Sequence, residues 1–193
     1  MKFQDISQDK KNLYTLKKNE RCVFYMLNRN GEITFKLAGE NAEAHIFSFF
    51  IGKKNRKGIL NITQKHIAPR TTSRAIVKNI LFDESTYDCA GLINISQEAN
   101  QSDASQDIRS LLLSPLTEVS AKPSLEILTD DVKCKHSATA SSLNPETLFF
   151  ANSRGLSEMQ ATKLLIKGFF NDSIEKMYTL GISADFNFEI EKL

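Results

Sequence analysis

Short apolar segments recur between residues 33 and 128, and polar connectors separate them. Each segment either alternates apolar and polar side chains or is apolar at successive positions, which is typical of β-strands. The segments lie at 33–37, 46–51, 59–62, 75–82, 92–95, 111–113 and 125–128. They recur at intervals of roughly 13 to 19 residues, which indicates an all-β stack of regular units.

The connectors between these segments show no helical periodicity, which argues against β-α-β units. They contain Gln, Asn, Ser and Asp, with little Gly or Pro, so the signals of tight hairpins are scarce. A sandwich and a solenoid both remain open on this pattern, and the shortage of hairpins favours the solenoid.

Helical signals begin after Ser142. Asn144 is placed to cap a helix whose first residue is Pro145, and Gly155 is placed to end it, so the sequence predicts a helix over 145–153.

Two more helices are predicted beyond that one. Ser157 and Gln160 form a capping-box pattern before apolar residues at helical spacing, which predicts a helix over 158–170. Asn171 or Asp172 is placed to cap a third helix that ends at Gly181.

The chain therefore divides into four predicted parts. Residues 1–20 are rich in Lys, Asp, Gln and Asn, and we expect them to be disordered for want of apolar surface. Residues 21–142 form the β core and residues 143–182 the helical unit. Residues 183–193 are expected to be a loosely docked tail.

Composition and charge narrow the function classes. With 193 residues and 41% hydrophobic residues, the chain is long enough to bury a core. Its formal net charge of +2 gives no overall attraction to nucleic acid. No apolar run is long enough to span a membrane, and the polar N-terminus does not resemble a signal peptide, so we expect a cytoplasmic protein. The three cysteines, Cys22, Cys89 and Cys134, are too few and scattered for a disulfide framework and should be reduced.

The sharpest candidate for chemistry is the pair Cys134 and His136, within the run Asp-Asp-Val-Lys-Cys-Lys-His at 130–136. In an extended strand, residues two apart point to the same face, so a thiolate and an imidazole would lie side by side. That pairing suits iron, zinc or a nascent iron-sulfur cluster. Two ligands do not close a site, and a buried cysteine beside a surface histidine is the simpler reading of the pattern alone. Asp130 and Asp131 are interpreted as turn residues.

Other polar features have mainly structural interpretations. The basic loop at 52–58 has the composition of an anion or nucleic-acid site but is typical of a solvated turn. His45 and His66 each lack an evident partner and are interpreted as structural, while Cys22 and Cys89 are interpreted as small core residues. The sequence has no phosphate-binding P-loop, serine nucleophile elbow, His-Glu-x-x-His or Cys-x-x-Cys motif, so we expect a protein that is not an enzyme.

An ordered set of short motifs between about residues 58 and 180 resembles the SufB/SufD family of iron-sulfur cluster scaffold proteins. The motifs are Pro-Arg-Thr-Thr-Ser at 69–73, Gln-Ser-Asp-Ala-Ser-Gln at 101–106, Leu-Leu-Leu-Ser at 111–114, Pro-Ser-Leu-Glu-Ile at 123–127, the run at 130–136, Leu-Phe-Phe at 148–150 and Ser-Arg-Gly at 153–155, followed by Ala161, Leu164, Leu165 and Phe169.

The resemblance implies a right-handed parallel β-helix followed by helices that contact the ATPase SufC. It implies that the edge of the β-helix pairs with a second SufB-like or SufD-like subunit, or with a second copy of the chain. ATP hydrolysis is expected from the partner, and the residues implied to contact it are Leu148, Phe149, Arg154, Leu164 and Leu165.

The resemblance also implies a role for Cys134 and His136, because SufD-like members have Cys-x-His here, close to the subunit interface. They would hold iron or a transient cluster, with no cofactor stably bound. Ser137 stands where SufD-like chains usually have Gly, and the chain is shorter than family members at its N-terminal side.

Two alternatives remain open. A β-helical polysaccharide lyase would use Asp130, Asp131, Lys133 and Lys135 as calcium ligands and groove residues. A nucleic-acid-binding module would use the basic loop at 52–58.

Overall fold

The structure, a computed structural model, describes residues 1–182, and over this range successive strands alternate between two sheets. Sheet A contains β1 (Lys2–Asp5), β3 (Arg21–Leu27), β5 (Glu43–Gly52), β7 (Thr72–Leu81), β9 (Ser102–Leu112) and β11 (Val132–Ser142). Sheet B contains β2 (Leu13–Leu16), β4 (Gly31–Leu37), β6 (Lys57–His66), β8 (Thr86–Ile95) and β10 (Glu118–Ile127). In sheet A, the pairs β1 with β3, β3 with β5, β5 with β7 and β7 with β9 are parallel. In sheet B, every pair of neighbouring strands is parallel. The predicted parallel β-helix is therefore confirmed.

One coil of this β-helix contains one strand of each sheet. The coil length is 22 residues between Arg21 and Glu43 and 29 residues between Lys54 and Asp83. The interval of roughly 13 to 19 residues between apolar segments is shorter than one coil. It is the spacing between the two strands of a coil and not a full repeat.

The corners that lead into β3, β5, β7 and β9 of sheet A share one backbone conformation. Asn19, Asn41, Arg70 and Gln101 have φ values of 59°, 58°, 57° and 59°, in the left-handed region. Asparagine tolerates this region better than most residues, and the Asn41 amide donates a 3.1 Å hydrogen bond to the side-chain oxygen of Asn19 in the coil before it. At these corner positions a residue other than glycine adopts the left-handed conformation, which agrees with the polar composition of the connectors.

The core lies between the two sheets, where alternate side chains of each strand point inward. Phe24 and Phe35 pack with ring centroids 4.8 Å apart, and Phe50 and Tyr87 pack at 4.6 Å. Each fully buried side chain of this size contributes about 1.5–3 kcal/mol through the hydrophobic effect. The stacking of apolar side chains from coil to coil is therefore the main source of stability.

The first twenty residues are not disordered, which corrects the expectation from composition. β1 pairs with β3, and β2 pairs with β4. Ile6 and Leu16 are 2% and 1% exposed. The next coil supplies the backbone partners and the apolar surface that this polar segment lacks by itself, so its composition alone gave the wrong answer.

A second compact unit begins at Ser141, after a first unit that spans Met1–Ala140. It contains α1 (Pro145–Ser153) and α2 (Glu158–Thr179). The side chain of Asn144 accepts a hydrogen bond from the backbone N–H of Glu146, and Ser157 and Gln160 form the predicted capping box.

The third predicted helix is instead a continuation of α2. Its proposed cap, Asn171, donates a 2.7 Å hydrogen bond to Glu175 one turn later and so interacts within the helix. Ile166, Phe170 and Met177 form one buried stripe across the predicted break, so burial keeps the helix continuous. The predicted tail at 183–193 lies outside the described residues. Among residues 1–182, no helix has the length and apolar character needed to cross a bilayer.

Candidate functional site

The candidate pair Cys134 and His136 lies on β11, the last strand of sheet A, beside β9. The Ser137 hydroxyl donates a 2.8 Å hydrogen bond to Asp107, 30 residues earlier. The backbone N–H of Gln101 likewise donates a 2.6 Å hydrogen bond to the carbonyl of Asp131. The Ser137 contact, together with the packing of Cys134 against the buried cluster that includes Ala104, indicates that Cys134 lies beside Ala104 and His136 beside Gln106.

The side chains of Cys134 and His136 share the inward face of the β-helix. Ala104 and Gln106 are buried on the inward side of β9, and β11 continues their alternation. Cys134 also packs against the buried cluster that includes Ile93 and Ala104. The sequence placed the two groups on one face of an extended strand, and the structure brings them there.

The environments of the two side chains differ. Cys134 is half-buried, whereas His136 is exposed. Burial raises the pKa of the Cys134 thiol, the Asp103 carboxylate raises that pKa further, and a hydrogen bond with the Ala104 backbone opposes the shift. The thiol therefore keeps its proton at neutral pH, and a cation that binds there must displace that proton.

No third ligand completes the pair. Over residues 1–182, no group of three or more His, Cys, Asp or Glu side chains is arranged to hold a metal ion. A thiolate and an imidazole supply half of a four-coordinate site. A closed site here therefore needs ligands from outside residues 1–182 or from another molecule.

The coil that carries the pair lies at the end of the β-helix, and among the described residues no further coil is stacked on it. In β8, Ile93 and Ile95 are fully buried, but Leu125 and Ile127, which pair with them in β10, are 40% and 37% exposed. Leu128 at the following corner is 61% exposed. Neither β10 nor β11 has a further strand beside it among the described residues. The inward apolar face of the last coil and its two strand edges are thus available to a partner.

The acidic residues beside the pair form the corner before β11. The carbonyl of Asp131 accepts the hydrogen bond from Gln101, and the carbonyl of Asp130 accepts one from Val132. Both side chains are exposed. These backbone contacts give the two residues a place in the turn, which is the interpretation made from the sequence.

The basic loop at 52–58 is the corner between β5 and β6. The backbone N–H of Lys54 donates a 2.7 Å hydrogen bond to the Asp83 carboxylate. The Arg56 guanidinium lies 5.4 Å from the centre of the Phe50 ring. The Asp83 carboxylate therefore fixes the backbone of the loop, and the ring contact holds the charged group of Arg56 against the coil stack.

His45 and His66 both have partners within the fold. His45 Nε2 lies 2.7 Å from a carboxylate oxygen of Glu43. His66 is fully buried, and its ring nitrogens contact the hydroxyls of Thr71 and Ser73.

The helical unit presents several apolar side chains to solvent. Helix α1 has no buried residue, and Phe149 and Phe150 are 75% and 59% exposed. Of the residues expected to contact an ATPase, Phe149, Arg154 and Leu164 are exposed, while Leu148 and Leu165 are half-buried. The Arg154 guanidinium lies 4.8 Å from the centre of the Phe150 ring.

The buried carboxamides Gln64 and Gln106 were not predicted from the sequence as functional candidates. Both are 0–1% exposed and point inward. The signal that was available is their place in the alternation, because each occupies an inward position that is normally apolar.

Comparison with known proteins identifies relatives over most of the chain. A family model described as "SUF system FeS cluster assembly, SufBD core domain" matches residues 23–169. The chain is 33% identical to the iron-sulfur cluster assembly protein SufD of Escherichia coli over 147 residues, which is 76% of this chain and 35% of that protein.

Two other relatives come from different lineages. The chain is 40% identical to the chloroplastic protein ABCI7 of Arabidopsis thaliana over 111 residues, 56% of this chain and 23% of that protein. It is 26% identical to the iron-sulfur cluster assembly protein SufB of Bacillus subtilis over 158 residues, 80% of this chain and 34% of that protein. The chain thus spans about a third or less of the length of these relatives.

Proposed function

Because the chain belongs to the SufB/SufD core family of the SUF iron-sulfur cluster assembly system, we propose that it is a scaffold subunit of an assembly complex and not itself an enzyme. The observation that carries this proposal is the position of Cys134 and His136. They share the inward face of the last β-helix strand, and that coil is open to a partner.

In this proposal the pair receives iron or sulfide as cargo. The thiol of Cys134 loses its proton when iron binds, and the imidazole of His136 supplies a nitrogen ligand. An incomplete ligand set holds iron weakly, which suits a scaffold that must pass its cluster on. The cluster is therefore transient, and no cofactor is stably bound.

The remaining ligands come from a second SufB-like or SufD-like subunit, or from a second copy of this chain. Such a partner adds strands at the β10 and β11 edges and covers Leu125, Ile127 and Leu128. Backbone hydrogen bonds along both edges give affinity, and the exposed apolar side chains give a buried centre.

The helical unit binds a SufC-like ATPase through Leu148, Phe149, Arg154, Leu164 and Leu165. Exposed aromatic and arginine side chains are the groups that most often dominate binding energy at protein interfaces. ATP-driven dimerisation of the ATPase then strains the paired scaffolds and opens the interface around Cys134 and His136. Three scattered cysteines, none of them in a disulfide, are compatible with a reducing compartment, and we propose that the protein is cytoplasmic.

Reconstitution of the whole complex tests this function. The chain is mixed with its ATPase and scaffold partner, and cluster formation is followed by absorbance after iron and sulfide are supplied. Replacing both site residues, Cys134→Ala with His136→Ala, should lower the cluster yield strongly, while His45→Gln should leave it unchanged. An undiminished yield in the double variant would remove the role given to the pair.

Co-purification tests the ATPase contact separately. Phe149→Ser combined with Leu164→Ser should abolish retention of the ATPase, as should truncation after Ser142. Retention of the ATPase by both variants would show that the helical unit is not its binding site.

A further inference from the structure

Buried polar side chains occupy the interior of the β-helix beneath its last coil. They form one hydrogen-bonded chain, in which each member is at most 1% exposed. The links are Ser102 to Thr71 at 2.8 Å, Thr71 to His66 at 2.7 Å, His66 to Ser73 at 2.8 Å and Ser73 to Gln64 at 2.5 Å. Within this chain only the amide oxygen of Gln64 lacks a hydrogen-bond partner among the described residues, and the links between the other groups give the chain a structural role.

Gln106 is buried in the same interior but stands outside this chain. It is 1% exposed, and neither its amide nitrogen nor its amide oxygen has a hydrogen-bond partner within residues 1–182. A buried polar group without a partner costs about 1–3 kcal/mol, so it calls for an explanation. Gln64, by contrast, donates to both the Ser73 hydroxyl and the Ser105 carbonyl.

Gln106 lies in the coil beneath the candidate site. The contact of Ser137 with Asp107 and the packing of Cys134 against the cluster that includes Ala104 indicate that Gln106 of β9 is the neighbour of His136 of β11. Its carboxamide reaches across the interior to Gly91 of β8, where a Cβ atom would lie 2.1 Å from its nitrogen. Gly91 in turn pairs with Pro123 of β10. The carboxamide therefore lies one strand spacing, about 4.8 Å, beneath the coil that carries His136.

We propose that Gln106 is a positioning residue for His136. In the iron-loaded state its amide oxygen would accept a hydrogen bond from the imidazole nitrogen that does not bind iron, and this contact would fix the ring and its tautomer. Histidine ligands in metal sites usually donate their second ring N–H to such an oxygen. This role rests on the proposed function, because it presumes that His136 binds a metal.

Two matched variants separate this role from a structural one. Gln106→Met and Gln64→Met both remove a buried carboxamide of similar shape from the same interior. Cobalt(II) is titrated into each full-length chain anaerobically, and its thiolate charge-transfer and d–d absorption bands report binding and geometry. Thermal unfolding without metal gives the stability of each variant.

We expect Gln106→Met to weaken cobalt(II) binding about 10- to 100-fold and to alter the d–d bands. Its unfolding temperature should stay level or rise, because the variant removes an unpaired buried amide. Gln64→Met should lower the unfolding temperature, because it breaks two buried hydrogen bonds, and should leave cobalt(II) affinity unchanged.

Two results would overturn the inference. The first is that Gln106→Met binds cobalt(II) with unchanged affinity, while the double variant Cys134→Ala with His136→Ala loses binding. This result would reject the role of Gln106 and leave the proposed function intact. The other is a loss of stability in Gln106→Met as large as that in Gln64→Met, which would assign the amide to the fold. If the double variant binds cobalt(II) like the unsubstituted chain, the metal site itself is wrong, and the role of Gln106 is rejected with it.

Discussion

The Ser137 hydroxyl and the Asp107 carboxylate form a 2.8 Å hydrogen bond that links the last strand of sheet A to its neighbour. In the strand register that this contact indicates, the side chains of Cys134 and His136 point inward. A slip of one residue would reverse the face of every side chain on β11. The register of this strand is therefore the structural condition for the candidate site.

Engineered disulfide formation tests that register. Cysteine at position 104, in Ala104→Cys, should form a disulfide with Cys134 under mild oxidation, because opposite residues on neighbouring strands lie within the distance that a disulfide spans. Non-reducing mass mapping of peptides measures the bond. Ser105→Cys is the control, since its side chain points outward. Crosslinking to position 105 but not to position 104 would show that the strand is shifted by one residue.

Alkylation should distinguish the three cysteines of the native protein. Burial raises the pKa of Cys22 to about 11 and that of Cys89 to about 12, and both side chains are at most 1% exposed. Cys134 is half-buried with a smaller rise in pKa. We expect iodoacetamide to label Cys134 first, at a rate that increases as the pH is raised, because the thiolate is the reactive form.

Peptide mass spectrometry at several times and pH values measures this order of labelling. A denatured sample, in which all three thiols should react alike, is the control. Labelling of Cys22 or Cys89 before Cys134 would contradict the placement of these residues.

The buried imidazole of His66 should make stability depend on pH. Burial lowers the pKa of His66 from 6.5 to about 4, and the positive charge of Arg74 adds to the shift. Between these two values the unfolded chain binds a proton that the folded chain does not. Stability is therefore present in full above about pH 6.5 and falls as the pH decreases towards 4, by roughly 3 kcal/mol in all.

Urea unfolding at a series of pH values measures this slope. His66→Gln should lower stability at neutral pH and flatten the dependence between pH 4 and 6.5. The exposed His136, replaced by Gln, should leave the slope in place. An equal slope in the His66 variant would show that other groups cause it.

Arg29 should be the main stabilising contact of the first coil. Its guanidinium donates hydrogen bonds to the carbonyl of Ile6 at 2.8 Å, to the hydroxyl of Tyr14 at 2.9 Å and to the carbonyl of Lys11. Hydrogen bonds from a charged donor contribute about 1.5–3 kcal/mol each when buried, and less in this half-exposed place. We expect Arg29→Ala to lower the free energy of unfolding by about 1–3 kcal/mol.

Hydrogen exchange locates that loss. Amide protons of β1 and β2 should exchange faster in Arg29→Ala, while those of β7 and β9 should not change. Lys10→Ala, an exposed substitution beside Lys11, whose carbonyl Arg29 contacts, should have no such effect. Uniform acceleration across all strands would mean that Arg29 acts on the whole β-helix.

The repeating strands and the N-termini of the helices could be predicted from the sequence, but the contacts between coils could not. Asn144 and Ser157 act over three residues or fewer, so their capping roles were visible in the chain. The strands of residues 1–20 and the continuity of α2 at Asn171 depend on what packs beside them, which the local pattern does not contain. The position of Gln106 beside His136 is inferred from a contact between residues 30 apart in the chain, so a local sequence pattern could not predict it.

X-ray absorption spectroscopy of the iron-loaded complex tests the central claim most directly. The complex of this chain with its ATPase and scaffold partner is loaded with ferrous iron under anaerobic conditions without sulfide, and the iron ligands are determined. The expected result is a sulfur and an imidazole nitrogen that are lost, respectively, in Cys134→Ala and His136→Gln. Identical iron ligands in the unsubstituted complex and in both variants would contradict the assignment of this pair as the place where iron is held.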